Sequence, residues 1–104
     1  MDKKVILISR MGCMLCERVL YEITHDRKLA CVEYLDTESP KIFNDFIQLF
    51  QIHRFPVIQI DDGVKFVTIH RDEEATIESK PDMEIIFCST IEEMMEMFDK
   101  MFAS

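Results

Sequence analysis

One stretch near the start of the chain most constrains the fold, because it joins three structural signals within about a dozen residues. Residues 3–9 include a β-branched apolar run without alternation, which is typical of a strand buried on both faces. Gly12 follows in a turn position, and Cys13 and Cys16 open a segment whose apolar residues recur at helical spacing. The order predicts a buried strand, a short turn and a helix that begins beside the first cysteine.

The next residues complete a strand–helix–strand unit. The helical spacing continues to His25, and residues 29–35 form a second apolar run. A strand, a helix and a strand in the first 35 residues form a βαβ unit, whose two strands are parallel and whose crossover is right-handed.

A second helix and a hairpin follow. Pro40 is suited to the first position of a helix that runs over residues 40–51. Residues 56–60 predict a third strand that begins with proline, and residues 64–70 predict its hairpin partner. Asp61-Asp62-Gly63 between them is a strong tight-turn signal.

The last third of the chain changes character. Residues 71–83 are charged and predict an exposed excursion, and residues 84–88 predict a short extended segment. Ser89 or Thr90 then caps the last helix, with acidic residues at capping-box spacing. We therefore expect one domain over residues 1–104, an α/β sandwich with a central mixed sheet of about four strands flanked by helices.

Composition narrows the class of protein. A length of 104 residues with 48% apolar content suits a single domain with a small core. The amino terminus lacks the apolar core of a signal peptide, and no stretch approaches the roughly 18 apolar residues of a membrane span. We expect a soluble cytoplasmic protein without membrane contact. The net charge of −8 argues against a general nucleic-acid binder.

The cysteines point to redox chemistry. In a reducing compartment the four cysteines, at positions 13, 16, 31 and 88, do not suggest a disulfide framework. The backbone N–H groups and dipole of a helix start favour a thiolate at Cys13, and Cys16 lies one turn inside. Two ordinary buried thiols and half of a zinc site are the alternatives. A zinc site needs four ligands, and the other cysteines and the three histidines are not paired at metal spacing. We predict no metal ligands.

Three motifs carry a resemblance to a known family. They are Cys13-Met14-Leu15-Cys16 after the first strand, Phe55-Pro56-Val57 at the third strand, and an Asp62-Gly63 hairpin followed by a closing helix. In this order the chain resembles the thioredoxin superfamily and, within it, glutaredoxin. The resemblance covers nearly the whole chain apart from residues 71–83. It implies a thioredoxin-like, glutaredoxin-type sandwich with a cis bond before Pro56.

The chain departs from the glutaredoxin pattern in two places. Met14 and Leu15 stand where the family usually has proline and an aromatic residue. Cys88-Ser89 replaces the two glycines that usually precede the last helix and hold the γ-glutamyl group of glutathione. Arg10 does match a basic residue of the family, three positions before the first cysteine.

The resemblance implies a thiol–disulfide oxidoreductase. Cys13 would attack a disulfide and Cys16 would resolve the mixed disulfide. The residues expected to bind substrate are Arg10, Phe55, Pro56, Val57, Ser89 and Thr90. We expect no tightly bound cofactor. Glutathione as co-substrate, or a reductase, would supply electrons, and the partner would be a disulfide-containing protein such as ribonucleotide reductase.

Two other functions stay open at this point. One is an iron–sulfur or metal-binding glutaredoxin, and the other is a non-catalytic interaction domain of the same fold. His53 and Arg54 suit anion binding and solvated surface equally. Cys88 is read as a small buried hydrophobe rather than a third redox thiol, and Cys31 is read as structural.

Overall fold

Five strands and three helices make up the part of the chain that the structure describes. This computed structural model describes residues 3–50, 54–71 and 82–103. The strands are β1 (Lys4–Ser9), β2 (Cys31–Leu35), β3 (Val57–Asp61), β4 (Phe66–His70) and β5 (Met83–Phe87). The helices are α1 (Met14–Tyr21), α2 (Pro40–Phe50) and α3 (Ile91–Ala103), and a π-helical turn, Glu22–Asp26, prolongs α1.

The strands form one mixed sheet in the order β2-β1-β3-β4-β5. β1 is parallel to β2, β3 is antiparallel to both β1 and β4, and β5 is parallel to β4. The predicted βαβ unit, the hairpin and the mixed α/β sheet are confirmed.

The predicted number of strands was wrong, since the described residues contain five rather than about four. The additional strand is the predicted extended segment 84–88, which begins at Met83 and pairs with β4 from Phe66↔Met83 to His70↔Phe87. A short apolar run indicates an extended backbone, but it carries no local sign of the strand that it pairs with. Pairing was therefore not predictable at this position.

Alternation along β1 builds a core on each face of the sheet. Because successive strand side chains point to opposite faces, Val5 and Leu7 pack in a cluster with residues of α1 and α3. Ile6 and Ile8 pack in the other cluster, with Phe43 of α2. All four of these apolar side chains are buried, as the unbroken apolar run predicted. The helices therefore cover both faces.

The carboxylates of Asp61 and Asp62 hold the hairpin turn, and Asp61 Oδ1 accepts the N–H of Gly63 at 2.9 Å. Asp62 Oδ1 accepts the N–H groups of Val64 at 2.9 Å and Lys65 at 2.6 Å. Gly63 has a φ of +90°, a region that suits glycine. The tight-turn prediction at Asp62-Gly63 is confirmed, and it explains why β4 returns beside β3.

Part of the predicted charged excursion lies outside the described residues. The structure does not describe residues 72–81 of this excursion. His53, elsewhere in the chain, also lies outside the described residues. Within residues 3–50, 54–71 and 82–103, none of the helices is long and apolar enough to cross a membrane.

Candidate active site

The turn between β1 and α1 sets the position of Cys13. Gly12 has a φ of +77°, and a Cβ built on it would meet no atom within 4 Å. The need for glycine is therefore conformational rather than steric. The N–H of Cys13 donates to the carbonyl of Arg10 at 3.2 Å, which closes the turn. The chain leaves β1 and enters α1 within four residues.

Cys13 is the N-cap residue of α1. Its backbone is extended, with φ −87° and ψ 104°, and its Sγ accepts the N–H of Cys16 at 3.1 Å. Its carbonyl accepts the N–H of Glu17 at 3.1 Å. Side chains at this position usually satisfy N–H groups that lack helical partners, and here a sulfur does so. In the reduced protein the same N–H would favour a thiolate.

Cys13 and Cys16 are joined by a disulfide. Their Cα atoms are 5.2 Å apart, within the roughly 4.4–6.8 Å that such bonds span. Cys16 is only 2% exposed, whereas Cys13 is half-buried. A second molecule can therefore reach the sulfur of Cys13 far more easily than that of Cys16.

An aromatic pair belongs to the same apolar cluster as the disulfide. The rings of Phe43 and Phe55 stack with centroids 5.2 Å apart. Both belong to the cluster that contains Cys16, and Cys13 packs against that cluster. Phe55, Pro56 and Val57 are buried, and the Phe55–Pro56 bond is cis, as the resemblance implied. The structure thus brings this predicted segment to the two cysteines.

Arg10 lies over the same aromatic pair. Its Cζ is 5.1 Å from the ring centroid of Phe55 and 5.9 Å from that of Phe43. Its Nε lies 3.7 Å from Oδ2 of Asp36, whose other oxygen accepts the N–H of Met11 at 3.0 Å. Asp36 therefore joins the end of β2 to the turn and balances part of the charge on Arg10.

Arg71 is a site residue that sequence reasoning missed. Its Nη1 donates to the carbonyl of Phe55 at 2.8 Å, and its buried Nε has no hydrogen-bond partner within residues 3–50, 54–71 and 82–103. The sequence pattern places Arg71 only at the start of a charged excursion. Nothing local in the sequence marks it, because its partner lies 16 positions away.

The start of α3 is occupied by a carboxylate of the chain itself. Thr90 Oγ1 accepts the N–H of Glu93 at 3.1 Å, and the Glu93 carboxylate accepts the N–H of Ser89 at 2.9 Å. This is close to the predicted capping box. A substrate carboxylate would have to compete with Glu93 for the N–H of Ser89.

The other two cysteines lie in surroundings that favour the neutral thiol. Burial, and then the charge of Glu33, raises the pKa of Cys31 to about 11. Cys88 is 2% exposed, and its pKa is raised by burial and then by Glu93. Because the thiolate is the reactive form, both thiols should be poor nucleophiles near neutral pH.

Two further predictions concern charge and metal binding. Arg54 is exposed, and His53 lies outside the described residues. In the described part of the chain, no group of three or more His, Cys, Asp or Glu side chains is arranged to hold a metal ion.

Comparison of the chain with protein-family models, with curated proteins and with solved structures found no match. The chemistry of the site must therefore be inferred from its own geometry.

Proposed function

We propose that this chain is a thiol–disulfide oxidoreductase with a thioredoxin-like, glutaredoxin-type fold. It would reduce protein disulfides or glutathione mixed disulfides with Cys13 and Cys16. The observation that carries the proposal is the placement of a half-buried cysteine at the N-cap of α1, bonded to a buried cysteine one turn inside. Phe55-Pro56-Val57 would serve as the platform for the substrate backbone.

The reaction would transfer two electrons from the Cys13–Cys16 dithiol to the substrate disulfide. The Cys13 thiolate attacks one sulfur of the substrate disulfide, that bond breaks, and the first substrate thiolate leaves and takes up a proton. Cys16 then loses its proton and attacks the Cys13 sulfur, which releases the second substrate thiol. The substrate gains two electrons and two protons, and the protein ends with the Cys13–Cys16 disulfide that the structure contains.

The different burial of the two cysteines suits Cys13 as the attacking thiol and Cys16 as the resolving thiol. Nucleophilic attack on a bulky disulfide needs an accessible sulfur, which Cys13 offers, and it benefits from an N–H that stabilises negative charge. The resolving step is intramolecular, so it tolerates the burial of Cys16. Cys31 and Cys88 would take no part, because their surroundings favour the neutral thiol.

The electron donor and the target follow from the resemblance. Two glutathione molecules, or the dithiol of a thioredoxin-type reductase, would return the Cys13–Cys16 disulfide to the reduced state. Arg10, Ser89 and Thr90 would meet the carboxylates of glutathione, in competition with Asp36 and Glu93. The target would be a cytoplasmic protein disulfide, for example that of ribonucleotide reductase.

Intact mass tests the proposal. The reduced protein and its Cys16→Ser variant are exposed to glutathione disulfide, with Cys88→Ser as a matched control. We expect an internal disulfide in the parent and in the control, and a single glutathione on Cys13 in Cys16→Ser. Peptide mapping locates the adduct.

Other outcomes would count against the proposal. If Cys16→Ser stays unmodified and a thioredoxin-type reductase also fails to reduce the parent, a non-catalytic interaction domain is favoured. Equal labelling of Cys13, Cys31 and Cys88 would show that the N-cap position gives no activation. Colour and bound iron in anaerobically purified protein would favour the metal-binding alternative.

A further inference from the structure

We infer that Arg71, assisted by Arg10, selects disulfide substrates that carry an acidic residue beside the reacting cysteine. This inference rests on the proposed function, since it names the substrate class of the same site. Two guanidinium groups contact one residue, Phe55: Arg71 at the carbonyl and Arg10 over the ring. Phe55 in turn belongs to the cluster against which Cys13 packs.

Arg71 is unlike other arginines near the helices. Arg18 pairs with Glu92 at 2.8 Å, and Arg27 pairs with Asp99 at 2.6 Å. Within the part of the chain that the structure describes, Arg71 has no carboxylate partner. Among those same described residues, its one hydrogen bond goes to the neutral carbonyl of Phe55, and its buried Nε has no partner.

A cation in this position is costly until an anion joins it. Guanidinium carries five N–H donors in a planar fork that matches a carboxylate. Because Arg71 is half-buried rather than fully buried, the outer N–H groups of its fork would pair with a substrate carboxylate on binding. Arg10 adds a second positive group, although Asp36 balances part of its charge.

Because the whole chain is negatively charged, binding of an acidic substrate would depend on cations close to the site. With a net charge of −8, the protein repels acidic partners at long range. An acidic substrate would therefore be accepted only where local cations outweigh that repulsion. A substrate bonded to Cys13 spans roughly 3.3–3.6 Å per residue, so a carboxylate one residue from its cysteine remains close to the Phe55 segment.

Three peptides that differ only in charge test this inference. Each has one cysteine, activated as its neutral 2-pyridyl disulfide and flanked by Glu, Gln or Lys. The Cys13 thiolate attacks the peptide sulfur, and the released pyridine-2-thione is followed by absorbance. Rates are divided by those of dithiothreitol with the same peptides. We expect the Glu peptide to react about tenfold faster than the Gln peptide, equivalent to ~1.4 kcal/mol, and the Lys peptide to react slowest.

Variants that make the same change in net charge show which arginine causes the preference for the Glu peptide. Arg71→Gln should reduce the Glu-to-Gln rate ratio to about one, while Arg71→Lys retains part of it and Arg10→Gln lowers it less. Arg27→Gln makes the same change in net charge at a distant ion pair and should leave the ratio unchanged. The preference should also weaken in high salt.

Acidic residues follow Arg71 directly in the sequence, at positions 72–74. The series is therefore measured in the parent and in a background with those three residues changed to amides. The preference must depend on Arg71 in both backgrounds. Equal rates for the three peptides, or an unchanged ratio in Arg71→Gln, would overturn the inference while leaving the oxidoreductase proposal intact. If no peptide reacts faster with the protein than with dithiothreitol, the proposed oxidoreductase function itself is contradicted.

Discussion

The protein has a cysteine at each of two strand-to-helix junctions, and the two junctions treat it differently. Between β1 and α1, Cys13 is the N-cap residue, is half-buried and accepts the N–H of Cys16 through sulfur. Between β5 and α3, Cys88 lies two residues before the capping side chain of Thr90. Cys88 is 2% exposed, and its N–H donates to the carbonyl of His70 at 2.8 Å.

The difference shows that proximity to a helix start does not by itself activate a cysteine. At the N-cap, the side chain faces backbone N–H groups that lack helical partners and remains near the surface. Two positions earlier, Cys88 directly follows the last residue of β5, and burial favours its neutral thiol. A shift of two residues therefore separates a proposed nucleophile from a core residue.

Exchanging the sulfur at each junction should give the largest contrast. Cys13→Ser should lose all disulfide-reducing activity, because no mixed disulfide can form, whereas Cys88→Ser should keep most of it. A coupled assay with glutathione and a mixed-disulfide substrate measures both. Serine is a good N-cap residue, so the circular dichroism of Cys13→Ser should match that of the reduced parent. Equal losses in the two variants would contradict the comparison.

Alkylation of the reduced protein extends the comparison to a cysteine far from any helix start. With a pKa of about 11, Cys31 is mainly neutral below that pH, and its thiolate grows roughly tenfold per unit as the pH rises. At pH 8 we expect Cys31 to react roughly a few hundredfold more slowly than an exposed thiol of pKa ~8.5.

Time-resolved mass spectrometry with iodoacetamide, followed by peptide mapping, gives the order of labelling. Cys13 should be labelled first, and both Cys31 and Cys88 should be slow at neutral pH. Labelling of Cys88 as fast as Cys13 would show that burial at the α3 junction does not protect it. Unfolding in urea provides the control, since all four thiols should then react similarly.

Removing the cap of α3 should have a moderate effect on stability. Thr90→Ala leaves the N–H of Glu93 without its hydroxyl acceptor and should lower the free energy of unfolding by about 1 kcal/mol. Thr90→Ser keeps the hydroxyl and should be nearly neutral. Urea denaturation of the oxidised proteins measures both. Exchange of Cys13 with a small neutral disulfide should be unchanged in either variant, since such a substrate has no carboxylate that could bind at the start of α3.

The smallest expected effect concerns the ion pair between Arg27, which follows the π-helical turn after α1, and Asp99 of α3. The Arg27 guanidinium bonds to Asp99 and lowers the pKa of that carboxyl. A lowered pKa means that the stabilisation is present above the unfolded-state value and is lost as the pH falls through the folded-state value. Asp99→Asn should therefore cost less than about 1 kcal/mol at pH 7, since the pair is partly exposed.

The pH dependence provides the check on that variant. The difference in urea midpoint between Asp99→Asn and the parent should be present at pH 7 and should disappear in acid, where the parent carboxyl is also neutral. A difference that persisted in acid would indicate a packing effect of the amide rather than loss of the ion pair.

Local patterns were sufficient for much of the fold. The buried β1, the start of α1 at the first cysteine, and the Asp62-Gly63 hairpin each depend on residues adjacent in sequence. The pairing of β5 with β4 was not predictable, because parallel pairing leaves no local mark. The contacts of Arg71 with Phe55 and of Asp36 with Met11 join positions 16 and 25 residues apart.

The sequence by itself determined which segments form strands and helices and that two cysteines lie one helical turn apart at the start of α1. Those features follow from backbone preferences, apolar spacing and capping, which act over a few residues. Only the tertiary structure decided that Cys13 is half-buried while Cys88 is buried, and that the guanidinium of Arg71, which has no carboxylate partner among the described residues, bonds to Phe55. Burial and partner choice depend on surfaces contributed by distant segments, and those surfaces exist only after the sheet has formed.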